Sequence, residues 1–260
     1  GVPIGGALAG IVVPQILLLY GWQAAAWGVA GLGILSVFAI QPFRKRYDTD
    51  LPERIGFSWN QLTAPLKMAF SHQGLRRVVV ASFFFATIQL SMISFIVIFL
   101  IQDIGMTLVR AGFMLAVAQI AGIIGRILWG ALADRYFNPR ILLGALGIAM
   151  AVTASLLAAF TGGWPHWGIL VVCALFGSVT IGWNGVYLAE VACSVKPEQI
   201  GMAVSGSLFF TYCGVLIGLP IFSLIVDKTG SYPIGFLCTA ICVGICGVLL
   251  FFKSPDRHHL

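Results

Sequence analysis

Long apolar runs joined by short polar turns are the feature that most limits how this chain can fold. The clearest turn, residues 130–140, reads Gly-Ala-Leu-Ala-Asp-Arg-Tyr-Phe-Asn-Pro-Arg and connects two apolar runs. A chain that crosses a bilayer can reverse direction only where its charged side chains reach water. Charged residues make up 9% of the chain and its mean hydropathy is +0.99, whereas about a quarter of a soluble domain is charged. The chain is therefore predicted to be an integral membrane protein.

The apolar runs predict an all-α membrane protein, a polytopic bundle of about eight transmembrane helices. The runs are continuous and lack the alternation of a membrane β-strand. A span needs ~20 apolar residues, so the 260 residues hold about eight spans. The predicted spans are approximately 2–20, 22–40, 78–101, 111–129, 141–160, 169–189, 202–226 and 233–252.

The positions of Lys and Arg predict the orientation. Thirteen of the 15 basic residues fall on one side of the predicted spans, and only Arg110 and Lys228 fall on the other. The positive-inside rule makes the basic side cytoplasmic, and that side includes the C-terminus. We therefore expect a multi-pass protein of the inner cell membrane. The net charge of +6 does not indicate nucleic-acid binding, because the basic residues lie in loops without interleaved exposed aromatic residues.

The chain has one long polar connection, which divides the predicted spans into two groups. Residues 42–77 are predicted to be a cytoplasmic linker. Within it, an apolar pattern at helical spacing predicts a short helix on the membrane surface, with Pro65 near its start. Residues 1–41 would be the last two helices of an incomplete N-terminal half-bundle, and 78–260 a six-helix C-terminal half-bundle. The chain begins at Gly1 inside an apolar run, and we interpret it as a fragment.

A glycine pattern in the first span recurs in the seventh. Two glycines four residues apart precede a proline in both places: Gly6, Gly10 and Pro14, then Gly214, Gly218 and Pro220. A parallel repeat of this length fits two six-helix halves related by an axis along the membrane normal. Chance similarity between glycine-rich helices is the alternative interpretation.

The turn after the fourth predicted span resembles a signature of the major facilitator superfamily. Gly130-x-Leu132-Ala133-Asp134-Arg135 followed by Arg140 is similar to the loop between the eighth and ninth helices of that family. Residues 5–22, 182–190 and 230–232 resemble other segments of its bacterial members. The resemblance covers the whole chain and implies helices five to twelve of twelve.

Arg126 is a charged residue inside the fourth span, where an arginine near the membrane centre costs about 2.5–3.5 kcal/mol on insertion scales. Its side chain could extend to water at the membrane surface. Alternatively, it could pair with Asp134 or Glu190 in a cytoplasmic latch that breaks as the two halves rock. The resemblance implies that the gate is completed by Gly130, Asp134, Arg135 and Arg140.

Uncharged polar side chains near the middle of the spans are the candidates for a substrate cavity. Two glutamines are costly to turn toward lipid, and two further sets share helical faces. The alternative for these residues is hydrogen bonding between helices, worth about 0.6 kcal/mol per bond. The candidates are Gln89 and Gln119; Trp183, Asn184 and Tyr187; Ser207 and Thr211.

Residues that would support catalysis or metal binding are not prominent. No paired carboxylates, Ser–His pair or His cluster occurs in a predicted span. Cys238, Cys242 and Cys246 form a stripe at helical spacing, which small-residue packing explains better than a metal site, since no His or carboxylate accompanies them. We expect no enzyme activity, no metal and no cofactor. A coupling ion would use the missing N-terminal half, because no Asp, Glu or His lies inside a predicted span.

Together these features predict a secondary active or facilitative transporter of a small organic solute that works by alternating access. The expected partners are that small-molecule substrate, the lipid bilayer and a coupling ion, and the protein is expected to be monomeric. A membrane channel or a receptor-like bundle is the alternative, followed by a membrane-embedded enzyme.

Overall fold

The structure is a computed structural model that describes residues 2–47, 59–71 and 73–252. The described residues form helices and short connections, with no β-strand among them, which confirms the predicted all-α class. A single 3₁₀ turn at Pro197–Gln199 precedes the seventh helix. The helices are α1 (Val2–Tyr47), α2 (Trp59–Ser71), α3 (Gln73–Gln102), α4 (Leu108–Arg135), α5 (Pro139–Ala158), α6 (His166–Cys193), α7 (Ile200–Thr229) and α8 (Tyr232–Phe251).

Seven of the described helices, all except α2, are long and apolar enough to cross a membrane, so the chain is a multi-pass membrane protein. The first of them, α1, is interrupted at Gly21, whose φ of 81° and ψ of 173° are not helical. Glycine adopts a positive φ at little cost because it has no Cβ. Gly21 therefore separates two helical segments, at the turn that the sequence predicts. Counting these segments separately gives the eight predicted spans; counting α1 once gives seven.

The predicted linker helix is present as α2, but Pro65 is not near its start. Pro65 is the seventh of 13 residues, where a proline removes one hydrogen bond of the helix. α2 packs on α7 at this point: the Pro65 carbonyl lies where a Cβ on Gly206 would be, and Phe70 meets Phe210 edge-on with ring centroids 4.7 Å apart. Packing against α7 compensates for the lost bond. Residues 48–58 of the linker lie outside the described part of the chain, as do the C-terminal charges Lys253 and Arg257.

Contacts between helices depend on glycines that let two backbones approach closely. On α4 and α6, a Cβ at Gly177 would overlap the backbone of Ala118, and one at Gly125 would overlap the carbonyl of Ser178. Membrane helices have no hydrophobic driving force between them, so close van der Waals packing at small residues holds them together. α4 and α6 are thereby held as one unit.

Both glycine pairs of the predicted repeat lie at helix crossings. The pair in α1 faces α4 and the pair in α7 faces α3: Gly6 lies against Gln119, Gly10 against Gly112, Gly214 against Phe83 and Gly218 against Thr87. The two crossings have the same chemistry, a small residue against a polar group or a backbone carbonyl. Larger side chains at these positions would separate the helices.

We predict that Gly177→Val destabilises the protein, because the added atoms would overlap the α4 backbone. Overpacking of this kind costs about 1–3 kcal/mol, which lowers the melting temperature by roughly 2–10 °C. The matched control is Gly201→Val in α7, where a Cβ has no atom within 4 Å. Thermal unfolding of the two detergent-purified variants measures the difference. Equal melting temperatures would contradict the packing described for α4 and α6.

Candidate functional site

A polar group inside the bundle joins α3 to α6. Trp183 Nε1 donates to Gln89 Oε1 at 2.9 Å, and Asn184 Nδ2 donates to the same oxygen at 3.3 Å. Trp183 is fully buried, whereas Gln89 and Asn184 are half-buried. An indole N–H can only donate a hydrogen bond, so it fixes the carbonyl oxygen of Gln89 toward α6. The Gln89 amide nitrogen makes no hydrogen bond within the described residues and remains an available donor.

Aromatic packing holds Trp183 in place. Its ring meets Phe85 edge-on with centroids 5.5 Å apart and lies 5.2 Å from the ring of Tyr187. Edge-on aromatic pairs contribute about 0.5–1.5 kcal/mol beyond their buried area. Because the indole is rigidly packed, the hydrogen bond that it donates sets the orientation of Gln89.

Arg126 is the charged member of this group. Its Nη2 donates to the Ile181 carbonyl at 3.4 Å, and the same carbonyl accepts a bond from Asn184 Nδ2 at 3.2 Å. The Arg126 side chain is exposed and forms no ion pair with any residue that the structure describes. A single carbonyl does not neutralise a guanidinium. Among the described residues, the site therefore presents an uncompensated positive charge that shares the Ile181 carbonyl with the Asn184 amide.

The other predicted cavity residues are buried. The Tyr187 hydroxyl lies 3.2 Å from Thr211 Oγ1, which lies 2.9 Å from Ser82 Oγ and 3.1 Å from the Ser207 carbonyl oxygen. This buried group connects α3, α6 and α7 by the kind of inter-helix hydrogen bonding that was the alternative interpretation. Gln119 is also buried and lies against α1, where its Oε1 has no hydrogen bond within the described residues. A role for these residues in lining the cavity stays a prediction.

A buried ion pair lies near the C-terminal end of α6. Arg140 Nε donates to Glu190 Oε1 at 2.8 Å, and Arg140 Nη2 donates to the Gly74 carbonyl at 2.8 Å. The Arg140 and Glu190 side chains are only 8% and 0% exposed. Asn138 caps α5 and accepts a bond from the Arg140 backbone at 3.0 Å, which sets the start of the helix that carries the arginine. The pair therefore ties together the ends of α3, α5 and α6.

The predicted pairing of Arg126 with Asp134 or Glu190 is wrong in this structure. Glu190 is paired with Arg140. Asp134 is on the same helix as Arg126 but eight residues further on, about 12 Å along the axis, whereas side chains on a helix meet at three or four residues. α6 also continues to Cys193, so Glu190 lies within that helix and not after it.

The remaining residues of the predicted gate lie in the last two turns of α4, which continues to Arg135 and not only to residue 129 as predicted. Asp134 and Arg135 are exposed and form no ion pair among the residues described. Gly130 has no atom within 4 Å of the position that a Cβ would occupy. This end of α4 is free to contact a surface outside the described helices.

Comparison with known proteins identifies the family. Residues 1–205 match the sequence profile of the Major Facilitator Superfamily. The chain therefore belongs to the major facilitator superfamily, as the resemblance of the 130–140 turn implies. It superposes on the Escherichia coli fucose:proton symporter FucP with a TM-score of 0.64 and 18% identity, over 92% of this chain and 59% of that chain. This structural similarity supports the assignment of the chain to the same fold.

Three relatives that match this chain are each about a quarter identical to it in sequence. The chain is 24% identical to the aspyridones efflux protein apdF of Emericella nidulans over 96% of this chain and 49% of the relative. It is 29% identical to rat monocarboxylate transporter 13 over 89% of this chain and 52% of the relative. It is 24% identical to the benzoate transport protein of Acinetobacter baylyi over 99% of this chain and 60% of the relative. The chain thus spans about half the length of the first two relatives.

We predict that Glu190→Ala strongly destabilises the protein, because Arg140 would keep a buried charge without a partner. Breaking a buried ion pair on one side costs about 3–5 kcal/mol. Replacing both partners, as in Arg140→Leu with Glu190→Leu, removes both charges and should restore most of the lost stability. Asp134→Ala is the control, since Asp134 is exposed and unpaired. Thermal unfolding in detergent compares the variants; a Glu190→Ala protein as stable as the control would show that the pair is not stabilising.

Proposed function

We propose that this chain is the carrier part of a secondary transporter that moves small organic carboxylates across a membrane by alternating access. The observation that supports it best is Arg126, a guanidinium on a membrane-spanning helix that donates to the Ile181 carbonyl, which also accepts from Asn184, and that has no carboxylate partner among the described residues. A substrate carboxylate would be that partner. The sequence predicts a small organic solute as the substrate, and this proposal specifies that the solute is an anion.

The donors in the site match the acceptors of a carboxylate. The Arg126 guanidinium is a planar fork that binds a carboxylate through two parallel hydrogen bonds. The Gln89 amide nitrogen adds a further donor, since its oxygen is already occupied by Trp183 and Asn184. Asn184 Oδ1 is the one side-chain acceptor left, and it would suit a hydroxyl on the substrate. A neutral solute would leave the guanidinium without a counter-charge.

The membrane strengthens the preference for an anion. A charged side chain at the centre of a membrane helix costs about 2.5–3.5 kcal/mol on insertion scales. Arg126 lies nine residues before the end of α4, about 14 Å along the helix axis. A bound carboxylate neutralises this charge and so lowers the energy of the occupied site relative to the empty one.

Two of the relatives have names that agree with this substrate class. One is a monocarboxylate transporter and another a benzoate transport protein, and both monocarboxylates and benzoate are carboxylates. The aspyridones efflux protein is named for a different compound, so the family alone does not determine the substrate. Arg126 is what favours carboxylates for this chain.

We propose the following arrangement for the rest of the transporter. The two segments of α1 are the last helices of an N-terminal half-bundle, residues 42–77 a linker, and α3–α8 the C-terminal half. The 130–140 turn, the linker and the C-terminus face the cytoplasm, and the protein is a monomer in the inner membrane. Any coupling ion is bound by helices outside this chain. Gln119 lies where the two halves meet. The Tyr187–Thr211–Ser207 group supports the substrate site, because the Tyr187 ring packs against Trp183.

The gate in this proposal combines a fixed part and a mobile part. The Arg140–Glu190 pair holds the ends of α3, α5 and α6 together. Gly130, Asp134 and Arg135, at the C-terminal end of α4, close against the other half when the cytoplasmic side is shut. Arg126 belongs to the substrate site in this arrangement.

We predict that Arg126→Gln in the complete protein lowers benzoate counterflow in proteoliposomes at least about tenfold, because a charged hydrogen bond worth about 1.5–3 kcal/mol is lost. Arg126→Lys, which keeps the charge but not the fork, should retain part of the activity. Lys196→Gln, which removes an exposed charge outside both the proposed site and the proposed gate, is the control for loss of one charge. Full counterflow by Arg126→Gln, at equal protein content, would contradict the proposed site.

The gate makes a separate prediction. Asp134→Asn should lower the maximal rate of transport while leaving the substrate affinity and the amount of protein in the membrane unchanged, because Asp134 acts on closure and does not touch the substrate. Transport rates over a range of substrate concentrations separate the two effects. An unchanged maximal rate would remove Asp134 from the gate.

A further inference from the structure

A pocket with two arginines opens at one end of the bundle, between α2, α3 and α8. Its volume is about 170 Å³. It lies at the same end as the Arg140–Glu190 pair, because Arg140 also binds the carbonyl of Gly74, two residues before the first of the two arginines. The lining residues are Phe70, Arg76, Arg77, Val80, Cys246 and Leu249.

The two arginines have different environments. Arg77 is half-buried, and its Nη1 donates to the Phe252 carbonyl at 2.8 Å, where it binds the carboxyl end of α8. Arg76 is exposed and forms no ion pair with the residues described. Among the residues that the structure describes, none in the pocket lining is a carboxylate. Two adjacent positive charges repel each other, so the pocket favours an anionic ligand.

The length of α3 places the pocket at headgroup depth. α3 has 30 residues and is therefore about 45 Å long, whereas the hydrocarbon core of a bilayer is about 30 Å thick. Arg76 and Arg77 are in the first turn of α3, so they lie in the region of the phospholipid phosphates. The apolar residues of the pocket extend from there toward the hydrocarbon.

An apolar groove continues from the pocket along the side of the bundle. It lies between α5 and α8, has a volume of about 740 Å³, and is lined almost entirely by apolar residues. Ala151 and Gly244 line the groove, and because alanine has only a methyl group and glycine has no side chain, they leave space between the helices. Leu249 borders both the arginine pocket and the groove. A single elongated ligand can thus contact both.

We propose that the pocket and groove bind an anionic phospholipid, with its phosphate on Arg76 and Arg77 and an acyl chain in the α5–α8 groove. Arginine binds phosphate oxygens through charged hydrogen bonds, and basic pockets between membrane helices bind anionic headgroups. A zwitterionic lipid carries an ammonium group that the two arginines repel. The lipid is separate from the transported solute, because its site lies on α3 and α8 away from Arg126.

Native mass spectrometry of the complete protein in detergent tests this site. Phosphatidylglycerol and phosphatidylcholine with the same acyl chains are the probes. Phosphatidylglycerol should bind at least about fivefold more tightly, since each basic residue contributes about 1 kcal/mol to anionic-lipid binding. Arg76→Gln should weaken phosphatidylglycerol about fivefold, and Arg76→Gln with Arg77→Gln should reduce it to the level of phosphatidylcholine. Arg76→Gln alone is informative because it breaks no hydrogen bond or ion pair within the described helices.

Two controls separate this site from general charge attraction. Arg135→Gln with Lys196→Gln removes two exposed charges from the same end of the bundle and should leave phosphatidylglycerol binding unchanged. Glycerol phosphate, which has the anion but no acyl chain, should not displace the lipid at equal concentration. Equal binding of the two lipids, native-like binding by the Arg76→Gln/Arg77→Gln protein, or displacement by glycerol phosphate would each overturn the proposal.

Discussion

A charge inside a bilayer has no water to solvate it, and this constraint accounts for the positions of the charged side chains in the described helices. Two arrangements meet it. Arg140 and Glu190 neutralise each other in a buried pair. Asp134, Arg135 and Arg76 are exposed near helix ends, where a side chain can reach water. Arg126 lies nine residues inside α4 and has no ion-pair partner among the described residues, and the proposed function rests on that missing counter-charge.

Close helix packing determines where Arg126 can be. α4 is held against α6 by Gly125 and Gly177, whose missing side chains let the backbones touch. The Ile181 carbonyl of α6 is therefore within reach of the arginine, and the neighbouring Asn184 connects it to Gln89 on α3. The opposite side of α4 is covered by the first segment of α1, through Gly6 and Gly10.

The fold was largely predictable because the length of an apolar run and the charges at its ends are local properties of the sequence. The spans, the linker helix and the turn at Gly21 were all predicted in this way. The position of Pro65 within α2 was not, because it depends on packing against α7 at Gly206, about 140 residues away in the chain.

The candidate site was predictable only in part. Gln89, Trp183 and Asn184 were singled out as polar residues in apolar spans, but their mutual hydrogen bonds join residues 94 and 95 positions apart. The partner of Glu190 was missed for the same reason, since Arg140 lies 50 residues away. The sequence predicts that the fourth span ends near residue 129, but α4 continues to Arg135, which places Asp134 about two helical turns from Arg126.

Direct binding of matched ligands tests the central claim most simply. Benzoate and benzamide have nearly the same shape, but only benzoate carries a carboxylate. If Arg126 is the site of the anion, isothermal titration of the complete protein should show benzoate binding at least about tenfold more tightly than benzamide, as expected for one charged hydrogen bond. Equal affinities for the two compounds would contradict the assignment of Arg126 to an anionic substrate.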